Sequence, residues 1–381
     1  MIKYLVYIIA NIVPKKRGLW VFGGWFGKRY SDNPKAFFEY INSQQPSIET
    51  IWLAKDKTVV AEIRKLGRSA YIAESVIGIY IQLRAEIAFV CQALPDDLFS
   101  PAVGKKTKVV NLWHGLPLKK IMYDVFGDRV CTKNNWGKFV GAISPYDQVR
   151  NDYLLATSVE TQNTLSKAFR LDKSQTLITG FPRNDVFLNN KVKASEQSFR
   201  CIYMPTFRLD PESDLFEHFG FNAEGIDQQL SRHDIQLVLR MHPVNKPPEY
   251  LVEQIANSKS ISIDSSGDVF DSIASYDCMI TDYSGGYFDF ILSNRPVLFA
   301  PFDLEKYKAQ ERDLYYEYED VTLAPYAKNW PELIENMINL KQHGSSALYQ
   351  QAYDELKDRF HQPIEELTFS ETLYQTLDKL R

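Results

Sequence analysis

The chain has 381 residues, 45% of them hydrophobic and 24% charged, with a formal net charge of −4. That is longer than one ordinary core can fill, so about two domains are expected, and the composition excludes a disordered, collagen-like or disulfide-dense chain. The charge is unevenly divided: residues 1–140 hold 21 Lys and Arg against 11 Asp and Glu, or +10, while residues 141–381 hold 23 against 37, or −14.

A basic first half suits an anionic partner such as a membrane surface, a polyphosphate chain or a nucleic acid; the plain alternative is an uneven scatter of solvated charge. The first residues, MIKYLVYIIANIV, form an apolar run closed by Pro14 and Lys15-Lys16-Arg17. The run is too short to span a bilayer, which takes about 20 residues, and it lacks a small-residue cleavage site. Residues 1–17 read either as an interfacial helix with a cationic collar lying on anionic lipid or as an ordinary first core helix.

Short β-branched and aromatic runs then alternate with helical patterns, the signature of parallel α/β construction. Strands are expected at 18–24 (GLWVFGG), 50–54, 70–73, 87–91, 109–113 (VVNLW) and 139–144 (FVGAIS), with helices over 34–43 and 75–85. The first of these helices opens with Pro34 after Asn33, a standard start signal. After the polar stretch from Asn189 to Ser198 the alternation restarts, with strands at 201–205, 235–241, 260–263, 278–281 and 297–301. Helices are expected over 224–232, 248–257, 268–276, 284–293 and 330–342, and one or two amphipathic helices over 345–381 that pack back across the first domain. This predicts an α/β, GT-B-like architecture of two Rossmann-type domains facing one cleft. The expected divisions are 1–17, an acceptor-side domain 18–188, a donor-side domain 189–345, and C-terminal helices 346–381.

The residues that could carry chemistry sit at strand ends. His114 stands between Trp113 and Gly115, with Lys119-Lys120 close behind; it is either a structural histidine at a strand end or a general base for a hydroxyl drawn in by the lysines. His242, fixed in extended geometry by Pro243, is the matching candidate in the second half, able to donate to a phosphate. Thr206, Phe207 and Arg208 follow the strand at 201–205. In TDYSGGYFDF (281–290), Thr281 and Asp282 lead into Ser284, Gly285 and Gly286, whose bare N–H groups before a helix would suit phosphate; the alternative is a tight strand-to-helix turn. Neither a Walker loop nor a GxGxxG pattern occurs there. Cys91, Cys131, Cys201 and Cys278 are scattered without CxxC spacing, which points to reduced thiols in a cytoplasmic protein and to no zinc site.

Six motifs in order, WHGLPLKK (113–120), TGFPRND (179–185), YMPTFR (203–208), LRMHP (239–243), TDYSGGYFDF (281–290) and RPVLFAPFDLEKY (295–307), resemble the CDP-glycerol glycerophosphotransferase family, the teichoic-acid and capsule polyol-phosphate primases and polymerases. The resemblance implies transfer of glycerol phosphate or ribitol phosphate from a CDP-polyol to a hydroxyl of a glycan, lipid-linked or polymer acceptor, with release of CMP, at the cytoplasmic face of the membrane. It implies His114 as general base, His242 on the donor phosphates, and Thr206, Arg208, Thr281, Asp282, Ser284, Gly285 and Gly286 around the CDP. It also implies Lys119, Lys120, Arg183 and Asn184 as acceptor or phosphate contacts. Transfer in line at phosphorus needs charge neutralisation more than covalent chemistry, so no cofactor is required, although Mg²⁺ would be compatible. Three departures bear on donor identity: Gly285 stands where the family usually repeats serine, Arg240-Met241 precede His242 where a lysine is common, and Glu311-Arg312-Asp313-Leu314 replace the usual Arg-Gly. The competing readings are a GT-B glycosyltransferase using a nucleotide sugar and a non-enzymatic polyanion-binding protein. No nucleic-acid motif supports the latter in nucleic-acid form.

Overall fold

The computed structural model describes residues 2–127, 144–188, 198–206, 208, 214–241, 247–310, 313–363 and 367–380. The chain divides into two compact α/β units. Unit 1 takes Met1–His114, Ile121–Asp185 and Phe360–Arg381, and unit 2 takes Gly115–Lys120 and Val186–Arg359.

Unit 1 is built on β1 (Leu19–Phe22), β2 (Glu49–Ala54), β3 (Ala70–Ile72), β4 (Ile87–Val90), β5 (Lys108–Asn111), β6 (Tyr153–Ala156) and β7 (Thr176–Ile178), in the order β3-β2-β1-β4-β5-β6-β7. The pairings are all parallel. Parallel strands need helical crossovers that cover both faces, which is why β1 and β4 are wholly buried runs, LWVF and IAFV, rather than alternating ones. Helices Asp32–Gln44, Lys57–Lys65, Val76–Arg84 and Val159–Phe169 flank the sheet, and Asp56, Ser75 and Ser158 cap the last three through side-chain oxygens. Trp20, Phe22, Phe37 and Phe89 pack ring to ring beneath β1 and β4.

Unit 2 is built on β8 (Phe199–Met204), β9 (Ile235–Leu239), β10 (Ile261–Ile263), β11 (Cys278–Thr281) and β12 (Val297–Phe299), also parallel, in the order β10-β9-β8-β11-β12. Trp330, fully buried, packs on Tyr203, Phe216 and Phe221, and its indole N–H donates to the Leu215 carbonyl at 2.8 Å. Both sheets run outward from their first strand and then jump to the other side. The reversal lies between β1 and β4 in unit 1 and between β8 and β11 in unit 2, and ligands of open α/β sheets bind at the carboxyl ends of such strands.

Several local expectations change. Of the strand expected at 139–144, residues 139–143 lie outside the described residues, and Ser144 precedes a 3-10 turn, Pro145–Asp147. The sheet instead gains β6 and β7 from YLLA and TLI. The helix expected over 268–276 is two 3-10 turns, Val269–Asp271 and Ile273–Ser275, because Asp268 and Ser275 bond nearby backbone groups and offer the chain an alternative to a helix. The helix expected over 284–293 is a five-residue helix, Gly286–Phe290, continued by a 3-10 turn, Ile291–Ser293. In the tail, Ala347–Phe360 docks on unit 2 through Tyr349 and Tyr353, whose hydroxyls donate to the carbonyls of Val297 and of Ile291 and Arg295. Helix Phe369–Lys379 docks on unit 1, where Tyr374 meets Trp20.

Candidate active site

In unit 1, β5 ends at Asn111, whose buried amide turns the chain: its Oδ1 accepts from the Trp113 N–H at 2.9 Å and its Nδ2 donates to the Gln92 carbonyl at 2.9 Å. Trp113 takes a left-handed backbone, φ 56°, a conformation that costs a bulky residue energy and is kept where surrounding structure imposes it. The turn aims His114 at the strand reversal, where its Nδ1 lies 2.8 Å from the Cys91 carbonyl just after β4. A carbonyl oxygen can only accept, so Nδ1 carries the proton and Nε2 keeps its lone pair. The ring is half-buried between Trp113 and Trp25, with centroids 4.0 and 5.9 Å away. Burial lowers its pKa from the ordinary value and Arg183 lowers it too, while the Cys91 hydrogen bond and Asp32 oppose the shift. The imidazole is therefore neutral near pH 7, the form a general base needs.

Arg183 and Asn184, expected to touch an acceptor or a phosphate, lie behind this loop with 6% and 0% of their surface exposed. Arg183 Nη1 donates to Asp32 Oδ1 at 2.7 Å and to the His114 carbonyl at 3.1 Å. Asn33 Nδ2 donates to the carbonyls of Leu112 and Trp113 at 3.1 and 3.0 Å, and its Oδ1 accepts from the Arg183 N–H at 3.1 Å. Asn33, read in the sequence as part of a helix start signal, and its neighbour Asp32 thus spend their side chains on the histidine loop and on the arginine that holds it.

In unit 2 the reversal between β8 and β11 carries a compact polar knot. Asp282, fully buried, accepts from the Thr206 N–H at 2.8 Å and hydroxyl at 2.6 Å through Oδ1, and from Arg208 Nη2 at 2.8 Å through Oδ2. Arg208, 8% exposed, also makes a bidentate pair with Asp303 at 2.9 and 3.0 Å and lies 5.1 and 4.9 Å from the Tyr283 and Tyr307 ring centroids. Burial works against its charge, but Asp282 and Asp303 outweigh burial and push its pKa up. Its cation is matched inside the protein. Thr281 ties β11 to β8 by donating to the Met204 carbonyl at 2.7 Å.

Ser284, Gly285 and Gly286 are the half-exposed part of this region, with Thr206. The Gly286 N–H points at the Ser284 hydroxyl at 3.3 Å, and the short helix behind the turn carries only a weak dipole. A Cβ on Gly285 would stand 2.2 Å from the Leu116 carbonyl oxygen, so the segment after His114 passes directly against this turn within unit 2. That segment is pinned further on, where the Tyr315 N–H donates to the Leu118 carbonyl at 2.9 Å and Lys120 pairs with Asp313 at 2.9 Å. Lys119 lies 4.7 Å from the Tyr307 ring centroid. The Asp313-Leu314 departure therefore has a role: both residues bond to Lys119-Lys120.

His242 lies outside the described residues. Among the described residues, no group of three or more His, Cys, Asp and Glu is placed to hold a metal ion. Cys91, Cys201 and Cys278 are buried free thiols, and Cys131 lies outside the described residues. Sequence reasoning missed Asp32, Asn33 and Asp303.

A sequence profile of the family described as CDP-glycerol:poly(glycerophosphate) glycerophosphotransferase matches residues 5–377. The chain is 27% identical over 404 residues to a teichoic acid glycerol-phosphate transferase of Staphylococcus aureus, covering 100% of this chain and 98% of that one. It is 28% identical to a teichoic acid poly(glycerol phosphate) polymerase of Bacillus spizizenii over 92% of this chain and 91% of the other. A Bacillus subtilis polymerase of that kind is 27% identical, and the match spans 45% of its length. Among solved structures, a wall teichoic acid polymerase superposes with a TM-score of 0.78 at 24% identity, over 99% of this chain and 92% of that chain. A UDP-N-acetylglucosamine 2-epimerase from Listeria monocytogenes, described as putative, gives 0.54 at 13% identity, over 95% and 96%. At such identities the likeness concerns the fold alone, which is GT-B-like.

Proposed function

Because this chain belongs to the CDP-glycerol:poly(glycerophosphate) glycerophosphotransferase family, we propose that it moves glycerol phosphate or ribitol phosphate from a CDP-polyol to a hydroxyl of a teichoic-acid-like or capsule polymer, releasing CMP. The observation that carries the mechanism is the His114 geometry: Nδ1 bound to the Cys91 carbonyl and a neutral Nε2. Nε2 takes the acceptor hydroxyl's proton as its oxygen attacks the polyol-bearing phosphorus. The new P–O bond forms while the P–O bond to CMP breaks, and CMP leaves with that electron pair. His242, by its motif, and the half-exposed Ser284–Gly286 turn neutralise the phosphates; Thr206 borders the same reversal. Arg208 and Asp282 shape that turn from beneath. Lys119 and Lys120 draw in an acceptor rich in phosphate. The scheme uses no resident cofactor, and turnover should survive EDTA.

Incubating the purified protein with CDP-glycerol, CDP-ribitol and UDP-sugars and measuring nucleotide release tests this reading. CMP release from one CDP-polyol, reduced about 10²–10⁴-fold in His114→Gln, is the expected result. Release of a nucleoside diphosphate from a UDP-sugar would make the protein a glycosyltransferase instead.

The same reading puts the protein at the inner face of the cell membrane as a peripheral protein. Helix Ile2–Ile12 leaves Ile2, Leu5 and Ile12 77%, 58% and 71% exposed, beside the exposed Lys16 and Arg17; Lys15 turns inward, its ammonium donating to the carbonyls of Ala10 and Leu83. No helix of the described residues is long and apolar enough to cross a membrane. An apolar face with a cationic collar suits the interface of an anionic bilayer.

A further inference from the structure

The left-handed φ at Trp113 has a counterpart at Asp32, φ 67°. Trp25, φ 47°, is a third; non-glycine residues in this region within one small cluster are held there by their surroundings, and the bonds among them converge on one loop. Asn33 takes both carbonyls that precede His114, those of Leu112 and Trp113. Arg183 takes the His114 carbonyl itself. Asp32 closes the arrangement by accepting from Arg183 Nη1 at 2.7 Å and from the Trp25 indole N–H at 3.0 Å, and Trp25 is one of the two rings beside His114. Three consecutive carbonyls, Leu112 to His114, are thus taken up by two side chains, one of them from a segment about 70 residues further along.

We infer that Asp32, Asn33 and Arg183 are positioning residues for the proposed transfer: they fix the backbone that carries His114 and set the charge its ring feels. This rests on His114 being the base. Asp32 and Arg183 form a buried pair, 4% and 6% exposed, whose opposite charges act on the imidazole in opposite senses. The ring also meets the Cys91 carbonyl and the rings of Trp25 and Trp113, and the Cys91 thiol accepts from the Trp25 N–H at 3.2 Å. Burial pushes the Cys91 thiol well up, so it stays uncharged. Asp97 lies below the Cys91 loop, accepting from the N–H groups of Cys91 and Gln92 at 2.8 Å. The carboxylate and guanidinium are therefore the two charges that tune the base, and Asn33 is the neutral clamp.

The test separates charge from scaffold. His114 is titrated by NMR in protein labelled at its histidine rings, its signal identified by loss in His114→Gln; no substrate is needed, so the outcome is independent of which reaction is catalysed. Asp32→Asn should lower the His114 pKa by about half a unit to one unit, and Arg183→Met should raise it by a similar amount. In turnover, the acid limb of kcat/KM should move with each. Asn33→Ala should leave the titration in place and reduce kcat about tenfold or more with donor KM unchanged. Asp32→Asn/Arg183→Met, which removes both buried charges together, guards against misfolding of the single variants and should return the titration close to that of the unsubstituted protein. Titrations that stay put in both single variants, or move the same way in both, would overturn the inference, as would an Asn33→Ala protein of full kcat.

Discussion

At the scale of single residues, the site depends on close approaches that tolerate no added atoms. Gly285→Ala puts a methyl into the Leu116 carbonyl, a backbone atom that cannot swing aside. A loss of about 1–3 kcal/mol is expected, with a raised donor KM because the Ser284–Gly286 turn must move; a melt and a donor titration check both. Arg208→Lys keeps the charge but cannot make the bidentate pair with Asp303 while reaching Asp282, so it should lower stability and donor affinity together. His114 stood out as a candidate because it ends an apolar run before a glycine and a pair of lysines. The sequence left it equally open to a structural role at a strand end, and it was the family resemblance that favoured the base. Asp32 and Asp303 did not stand out, because the role of an aspartate depends on a partner that the chain brings in from 151 or 95 residues away. Nor does a sequence reveal that Arg208 and Arg183 are already matched by carboxylates.

At the scale of elements, the attachment of the last helix is sensitive to pH. Asp185 accepts from the N–H groups of Phe369 and Ser370 at the start of helix Phe369–Lys379. Burial nevertheless raises its carboxyl to about 6, offset only in part by bonds to Ser370, Phe369 and Thr368. The folded chain then holds this proton more tightly than the unfolded chain does, so the stability it contributes is complete below about pH 4 and is lost as pH rises through 6. Asp185→Asn should raise Tm at pH 7.5, by a stabilisation of about 1–3 kcal/mol, and change little at pH 4.5. Equal differences at the two pH values would contradict this. The longer strands and capped helices were legible from pattern. β7, with three residues, is too short to show a period, and the serines and aspartate of 268–276 turned an apparent helix into separate turns.

At the scale of the whole molecule, the basic first half and the exposed face of helix Ile2–Ile12 predict binding to vesicles containing phosphatidylglycerol that weakens as salt rises, with little binding to phosphatidylcholine alone. Leu5→Glu, at an exposed position, should weaken sedimentation with vesicles without changing the melt; unchanged sedimentation would assign the helix to the core only. Two Rossmann-type units were legible because the alternation of strands and helices restarts after the polar stretch at 189–198. Neither unit is one continuous stretch: residues 360–381 return to the first, as the amphipathic tail allowed, whereas pattern could not give that residues 115–120 belong to the second. A cut between residues 188 and 198 would therefore leave each fragment short of part of the unit it mostly encodes. The first fragment would lack the helix that Asp185 holds, and the second would lack the segment that lies on Gly285. Expressed separately, the two pieces should be poorly folded. Expressed together, they should restore each other and recover turnover, so genetic dissection of this enzyme proceeds by complementation rather than by isolating halves.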